Sequence, residues 1–114
     1  MGSRTGVGGL MQHGEIRWYK FKAPEKKQPV LILTRDSILD YLGEVTVAPI
    51  TSTIRDIPSE VFLSAEDGMK KDCVVNLDHI QTVSKMKIGK RLTSLSRHKM
   101  KSVCEAIRFA LDIV

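Results

Sequence analysis

The sequence predicts a small, mostly antiparallel β-domain with barrel-like curvature and one C-terminal helix, an α+β arrangement. Three observations carry this. Short apolar runs bounded by proline, glycine or charge recur between residues 15 and 92, in lengths that suit strands and not independent helices. Helical periodicity dominates only the stretch 96–114. At 114 residues, with no linker or internal repeat, the chain reads as one domain, large enough to bury roughly two-thirds of its unfolded surface without staples.

The stretch 29–34, Pro-Val-Leu-Ile-Leu-Thr, is the centre of that domain. It is β-branched at Val30 and Ile32 and reads as a strand buried on both faces. Pro29 is expected as its first residue, because a proline inside a ladder lacks the required N–H. Upstream, 15–21 alternates apolar and charged residues, a strand with one wet face and Ile16, Trp18 and Phe21 toward the core. Residues 22–27, with Pro24 and several charges, read as a solvated loop. The stretch 36–43 reads as a helical turn capped by Ser37 and stopped by Gly43. A second buried strand is expected over 45–51, followed by a polar loop that carries Arg55 and Asp56. Residues 59–63 alternate again and are expected to pair with the strand before them. A turn over 65–72 leads to a strand at 73–78 that runs on into 79–83. The Lys-rich stretch 86–92 suits an edge strand. Ser96 is a natural N-cap, and Leu95 and Met100 stand as a hydrophobic staple. Met100, Val103, Cys104, Ile107, Ala110, Leu111 and Val114 then mark the helix face turned to the sheet.

The net charge is +5, from 18 Lys+Arg against 13 Asp+Glu, which favours a polyanionic partner. The two cysteines, Cys73 and Cys104, lack metal-ligand spacing and read as core thiols of a reducing cytosol. No apolar run is long enough to span a membrane. There is no HxxEH, no CxxC and no glycine-rich phosphate loop, so neither a metal nor a nucleotide cofactor is expected. Residues 1–13 are Gly-rich without a signal peptide's apolar core and read as a flexible leader or an expression remnant, leaving 14–114 as the domain.

Four motifs follow one another in a familiar order: Gly14-Glu15-Ile16-Arg17-Trp18, Gln28-Pro29-Val30-Leu31-Ile32-Leu33, Val47-Ala48-Pro49-Ile50-Thr51, and Gly68 followed by Cys73-Val74-Val75-Asn76-Leu77-Asp78-His79-Ile80-Gln81-Thr82-Val83. Together with the terminal helix they resemble the MazF/PemK/Kid family of bacterial toxins across 14–114. The resemblance implies an SH3-like barrel that forms a homodimer in the cytoplasm. It also implies metal-independent, sequence-specific cleavage of single-stranded RNA (mRNA) to 2′,3′-cyclic phosphate and 5′-hydroxyl ends, blocked by a cognate antitoxin. Thr51 matches the family's active-site threonine, and Asp78 an acidic residue that some members use in proton transfer. Gln28 stands where the family usually has arginine. Gln81 and Asn76 also replace arginines of relatives. The loop 22–27 replaces a longer one that helps to choose the RNA sequence.

The chemistry makes Gln28 the critical position. Attack of a 2′-hydroxyl on its own phosphate needs a proton acceptor, a proton donor for the leaving oxygen and a positive group over the developing charge. Glutamine donates a hydrogen bond but carries no charge. Lys26, Lys27, Arg35, Arg55 and Lys87 are the candidate RNA-binding cations, and the cluster 85–91 is a candidate electrostatic track. His79 beside Asp78 would point to the opposite face of a strand, so it reads as structural or interfacial. Two other classes share the barrel. A catalytically silent RNA- or protein-binding barrel is favoured by Gln28. A CcdB-like gyrase poison acts through a C-terminal tryptophan-containing tail, whereas the only tryptophan here is Trp18.

Overall fold

The computed structural model describes residues 11–20 and 27–113. Among these, seven strands form one antiparallel sheet: β1 (Glu15–Lys20), β2 (Lys27–Ile32), β3 (Glu44–Thr51), β4 (Glu60–Leu63), β5 (Cys73–Asn76), β6 (Gln81–Ser84) and β7 (Ile88–Ser94). Two helices accompany them, α1 (Asp36–Leu39) and α2 (Arg97–Ala110). The strand order is β4-β5-β3-β2-β1-β7, with β6 also paired to β3. The expected mostly-β fold with its C-terminal helix is present. The two end strands of the path, β4 and β7, do not pair with each other, so the sheet is open and not a closed barrel.

Strand β3 holds the sheet together. One edge pairs with β2 over Val47–Pro49. The other pairs with β6 over Glu44–Val47 and with β5 at Ile50 and Thr51. Pro49 falls where the partner changes, so its missing N–H interrupts no ladder there. Between β5 and β6 the chain makes a 3-10 turn, Leu77–His79, capped by Asn76, whose Oδ1 accepts the Asp78 N–H at 2.9 Å. The expected run from 73 into 83 is therefore two strands on one partner. β4 pairs with β5 and not, as expected, with β3, because β5 already occupies that edge of β3.

Both faces of the central strands are covered. Ile16, Leu31, Ala48, Ile50, Leu63 and Val75 pack with Val103 and Ala106 of α2. On the other face Val30, Ile32, Leu39, Val45, Val47 and Val83 pack with Met11, which lies inside the stretch 1–13. Burial of 29–34 on both faces was expected, but Pro29 is the third residue of β2 and sits opposite Trp18. β1 has no wet face along its first half: Glu15 is 6% exposed and Arg17 9%. Arg17 Nε donates to Glu15 Oε1 at 2.8 Å and Nη1 to the Gly89 carbonyl at 2.9 Å, which satisfies a charge that alternation alone had assigned to solvent.

The helix ends behave as their residues dictate. Ser96 Oγ accepts the Lys99 N–H at 3.0 Å, and Leu95 and Met100 both pack on the first core cluster. Cys104 is exposed, not core; the helix is rotated so that Val103 and Ala106 take the buried positions. Helix α1 begins after Arg35 without a side-chain cap, and Ser37 lies inside the turn. Lys85 Nζ donates to the Leu39 carbonyl at 2.6 Å, so this member of the basic cluster fastens α1. No helix among the described residues is long and apolar enough to cross a membrane.

Leu31 is fully buried between β1 and β3. Leu31→Ala is expected to cost about 2–5 kcal/mol through lost contacts and a residual cavity. Leu111→Ala, at an exposed position, should stay within about 0.5 kcal/mol. Urea unfolding of the two variants checks both values.

Candidate active site

Alternation along strands sets which side chains share a face. Tyr19 lies opposite Ile88 on β7 and opposite Gln28 on β2. Thr51 lies opposite Val74, which lies opposite Phe62. The β2–β3 register pairs Val30 with Pro49, and its continuation sets Gln28 against Thr51. One row on one face thus runs Ile88, Tyr19, Gln28, Thr51, Val74, Phe62. The close approach of its centre is direct: Gln28 Nε2 donates to the Ile50 carbonyl, the peptide leading into Thr51, at 3.2 Å.

Thr51 is the last residue of β3 and half-buried. Its Oγ1 accepts the Thr53 N–H at 3.1 Å, which orients the hydroxyl at the start of the following loop. A hydroxyl that accepts one bond keeps its own proton for donation. The loop 52–59 is organised by Glu60, whose side chain is only 2% exposed. Glu60 Oε1 accepts the N–H groups of Arg55 at 2.9 Å and Asp56 at 3.1 Å. These bonds hold Asp56 at a φ of 58°, the left-handed conformation that side chains disfavour. Arg55 Nη1 stands 3.9 Å from Glu60 Oε2, and the Arg55 side chain is 55% exposed. Glu60 opposes Asn76, two residues beyond Val74, so it shares the face that carries Thr51.

The sequence-predicted residues divide accordingly. Gln28 and Thr51 come together, and Arg55 is tethered to the same face. Asp78 lies in the turn after β5, a strand that runs back along β3 away from Thr51. Its Oδ2 accepts from Ser59 Oγ at 2.6 Å. His79 shares that turn, so strand alternation does not govern the pair. Lys27 is adjacent to Gln28 and therefore projects from the opposite face, with Nζ 5.5 Å from the Trp18 ring centroid. Arg35 precedes α1, beyond the far end of β2. Lys87 is exposed in the 3-10 turn before β7. Lys26 lies outside the described residues. Tyr19, half-buried beside Gln28, is the member of the row that sequence reasoning missed; only the β1–β2 register reveals it.

The family model for PemK-like, MazF-like toxins of type II toxin–antitoxin systems matches residues 12–111. The chain belongs to this toxin family. It is 38% identical over 99 residues to "Probable endoribonuclease MazF2" of Mycobacterium tuberculosis, covering 86% of this chain and 95% of that protein. It is 38% identical over 89 residues to endoribonuclease MazF3 of the same organism, covering 78% of this chain and 86% of that one. The solved Mycobacterium tuberculosis toxin MazF-mt6 has a TM-score of 0.81 at 35% identity, over 88% of this chain and 98% of its own.

The two thiols of this MazF-type toxin differ sharply in environment. Burial, then Asp72 and Asp67, push the Cys73 thiol up, against a smaller opposing effect of Lys71. Cys104 is exposed on α2. Since the thiolate is the nucleophile, a thiol-specific disulfide reagent at neutral pH should label Cys104 rapidly and Cys73 far more slowly in the folded protein. Raising the pH while the fold holds should speed Cys73 later than a free thiol. Equal labelling rates in the folded protein would contradict the buried position of Cys73.

Proposed function

We propose that this toxin is a metal-independent endoribonuclease that cuts single-stranded RNA, including mRNA, with Thr51 at the scissile phosphate. The single observation that carries the reading is the row that sets Gln28 against Thr51 with Arg55 tethered to the same face. The endoribonuclease names of relatives at 38% identity support the reaction class. In the step, the ribose 2′-oxygen bonds to phosphorus as the bond to the 5′-oxygen breaks. The 2′-proton leaves to an acceptor, and the 5′-oxygen gains a proton. The Thr51 hydroxyl donates to a non-bridging oxygen, and Arg55 supplies the positive charge that Gln28 lacks. Asp78, bonded to Ser59, anchors the loop that carries Arg55.

An oligoribonucleotide cleavage assay in a chelator tests this. Thr51→Ala should lower the rate on the order of 10²–10³-fold, the usual loss for one oxyanion donor, and Arg55→Ala should lower it about tenfold or more. Gln28→Arg keeps a donor and adds a planar charged fork, so it should raise cleavage at least about tenfold. RNA binding should weaken with salt, each phosphate contact adding about −0.7 to the log–log slope. If neither the parent nor Gln28→Arg cuts RNA, the nuclease reading fails and a silent binding barrel replaces it. DNA cleavage in the presence of gyrase would instead indicate a gyrase poison.

The same reading places the toxin in the cytoplasm, as a homodimer held by a cognate antitoxin. Phe62, Phe109, Leu111 and Ile113 are exposed around α2 and β4, an apolar rim suited to a partner. The solved MazE–MazF complex of Deinococcus radiodurans shares the fold, with a TM-score of 0.79 at 22% identity. An acidic, apolar antitoxin segment that folds on binding would cover Thr51 and the basic residues around Lys26 and Lys27. Light scattering should give a dimer mass at micromolar protein. Added antitoxin should raise that mass and abolish cleavage; a monomer, or a complex with undiminished cleavage, would refute this arrangement.

A further inference from the structure

We infer that Gln28 is a positioning residue whose side-chain amide replaces the backbone N–H that Pro29 cannot supply, and so fixes the peptide that carries Thr51. Antiparallel strands alternate hydrogen-bonded and non-bonded residue pairs. Leu33 N donates to the Thr46 carbonyl at 2.9 Å, while the Thr46 N–H goes to Thr34 Oγ1 at 2.8 Å; the one main-chain bond places Leu33 and Thr46 at a hydrogen-bonding position of the ladder. The register then makes Leu31 with Ala48 the next bonded pair, and Pro29 with Ile50 the one after. Pro29 has no N–H to give. Ile50 is 3% exposed, so its carbonyl would be left without a donor in the interior.

The Gln28 amide fills that place. Its Nε2 lies 3.2 Å from the Ile50 carbonyl oxygen, within the range of an N–H···O bond. This carbonyl belongs to the peptide whose nitrogen is that of Thr51, so the bond sets the plane from which the Thr51 side chain leaves. On the far edge Ile50 and Thr51 pair with Val75 and Val74. With the Gln28 bond in place, the end of β3 is held from both sides. Without it, only β5 and the Thr53 N–H orient the hydroxyl. The ladder inference stands on geometry alone; its effect on catalysis rests on the nuclease reading above.

The test is a cycle of variants: Gln28→Met, which keeps length and loses the donor; Pro29→Val, which restores a backbone N–H; and both together. Two readouts are taken, the Thr51 methyl ¹H–¹³C signal without RNA, and kcat and KM for RNA cleavage. Gln28→Met should displace the methyl signal and lower kcat about tenfold while KM moves less than about twofold. Adding Pro29→Val should return both toward the parent. Should Pro29→Val fold poorly, Gln28→Arg supplies a longer donor and should keep the methyl signal near its parental position. An unmoved methyl signal in Gln28→Met overturns the inference. So does a methyl signal that recovers in the double variant while kcat stays low, since the amide would then act on the phosphate itself. If no variant cuts RNA yet the methyl signal follows the cycle, the positioning inference holds and the nuclease reading falls.

Discussion

Pro49 decides how this sheet is assembled. Every other residue on the outer edge of β3 that faces a partner can donate to it, and Pro49 cannot. The edge therefore splits, with Glu44–Val47 on β6 and Ile50 and Thr51 on β5. The chain between those partners must turn, which it does at Leu77–His79 under the Asn76 cap. β5 is thereby free on its other edge to receive β4. Thr51 comes to lie at the end of β3 with β2 on one side and β5 on the other. A second proline, Pro29, opens a gap in the opposite ladder at Ile50, one residue from Pro49. The chain thus tolerates two prolines in central strands by different means, one at a change of partner and one with a side-chain amide alongside.

Burial on both faces of β2 and β3 imposes the next constraint. Two apolar clusters flank the sheet, and β1 must follow with its polar residues. Glu15 and Arg17 are accommodated as a pair, and Arg17 reaches Gly89 where the β1–β7 ladder shifts register on either side of Arg17. Such a pair contributes little net stability once desolvation is counted, but loss of either partner would strand a buried charge. Its structural value lies in spanning the irregular part of the ladder, where the backbone cannot bond regularly.

The row through Gln28 and Thr51 is uncharged, so the proposed mechanism separates two tasks. Placement of the hydroxyl falls to the sheet, through the pairing of Thr51 with Val74. In the proposed mechanism the charge comes from a loop, through Arg55, whose backbone N–H is held by the buried Glu60 side chain. A sheet-borne donor and a loop-borne cation, as proposed, would suit a substrate that threads across a surface.

What could be read from residues alone was whatever depends on local spacing. The strands around 15–20, 29–34 and 45–51, the Ser96 cap with its Leu95 and Met100 staple, and the Lys-rich edge strand all follow from periodicity and cap chemistry. The ordered motifs pointed to the toxin family before any geometry was known. Periodicity failed where a second element changed the environment of a face. Glu15 and Arg17 look wet by alternation, yet both are buried, bonded to each other and, through Arg17, to the Gly89 carbonyl. Cys104 fits the helical stripe, but rotation of α2 against the sheet buries Ala106 in its stead. The pairing of β4 with β5 and the separation of Asp78 from Thr51 depend on which edge was already taken, a fact about several strands at once. Gln28 and Thr51 are 23 positions apart in the chain. Their residue types were legible in the sequence, but their meeting was set by a register between two strands, because a one-residue slip would have turned them to opposite faces.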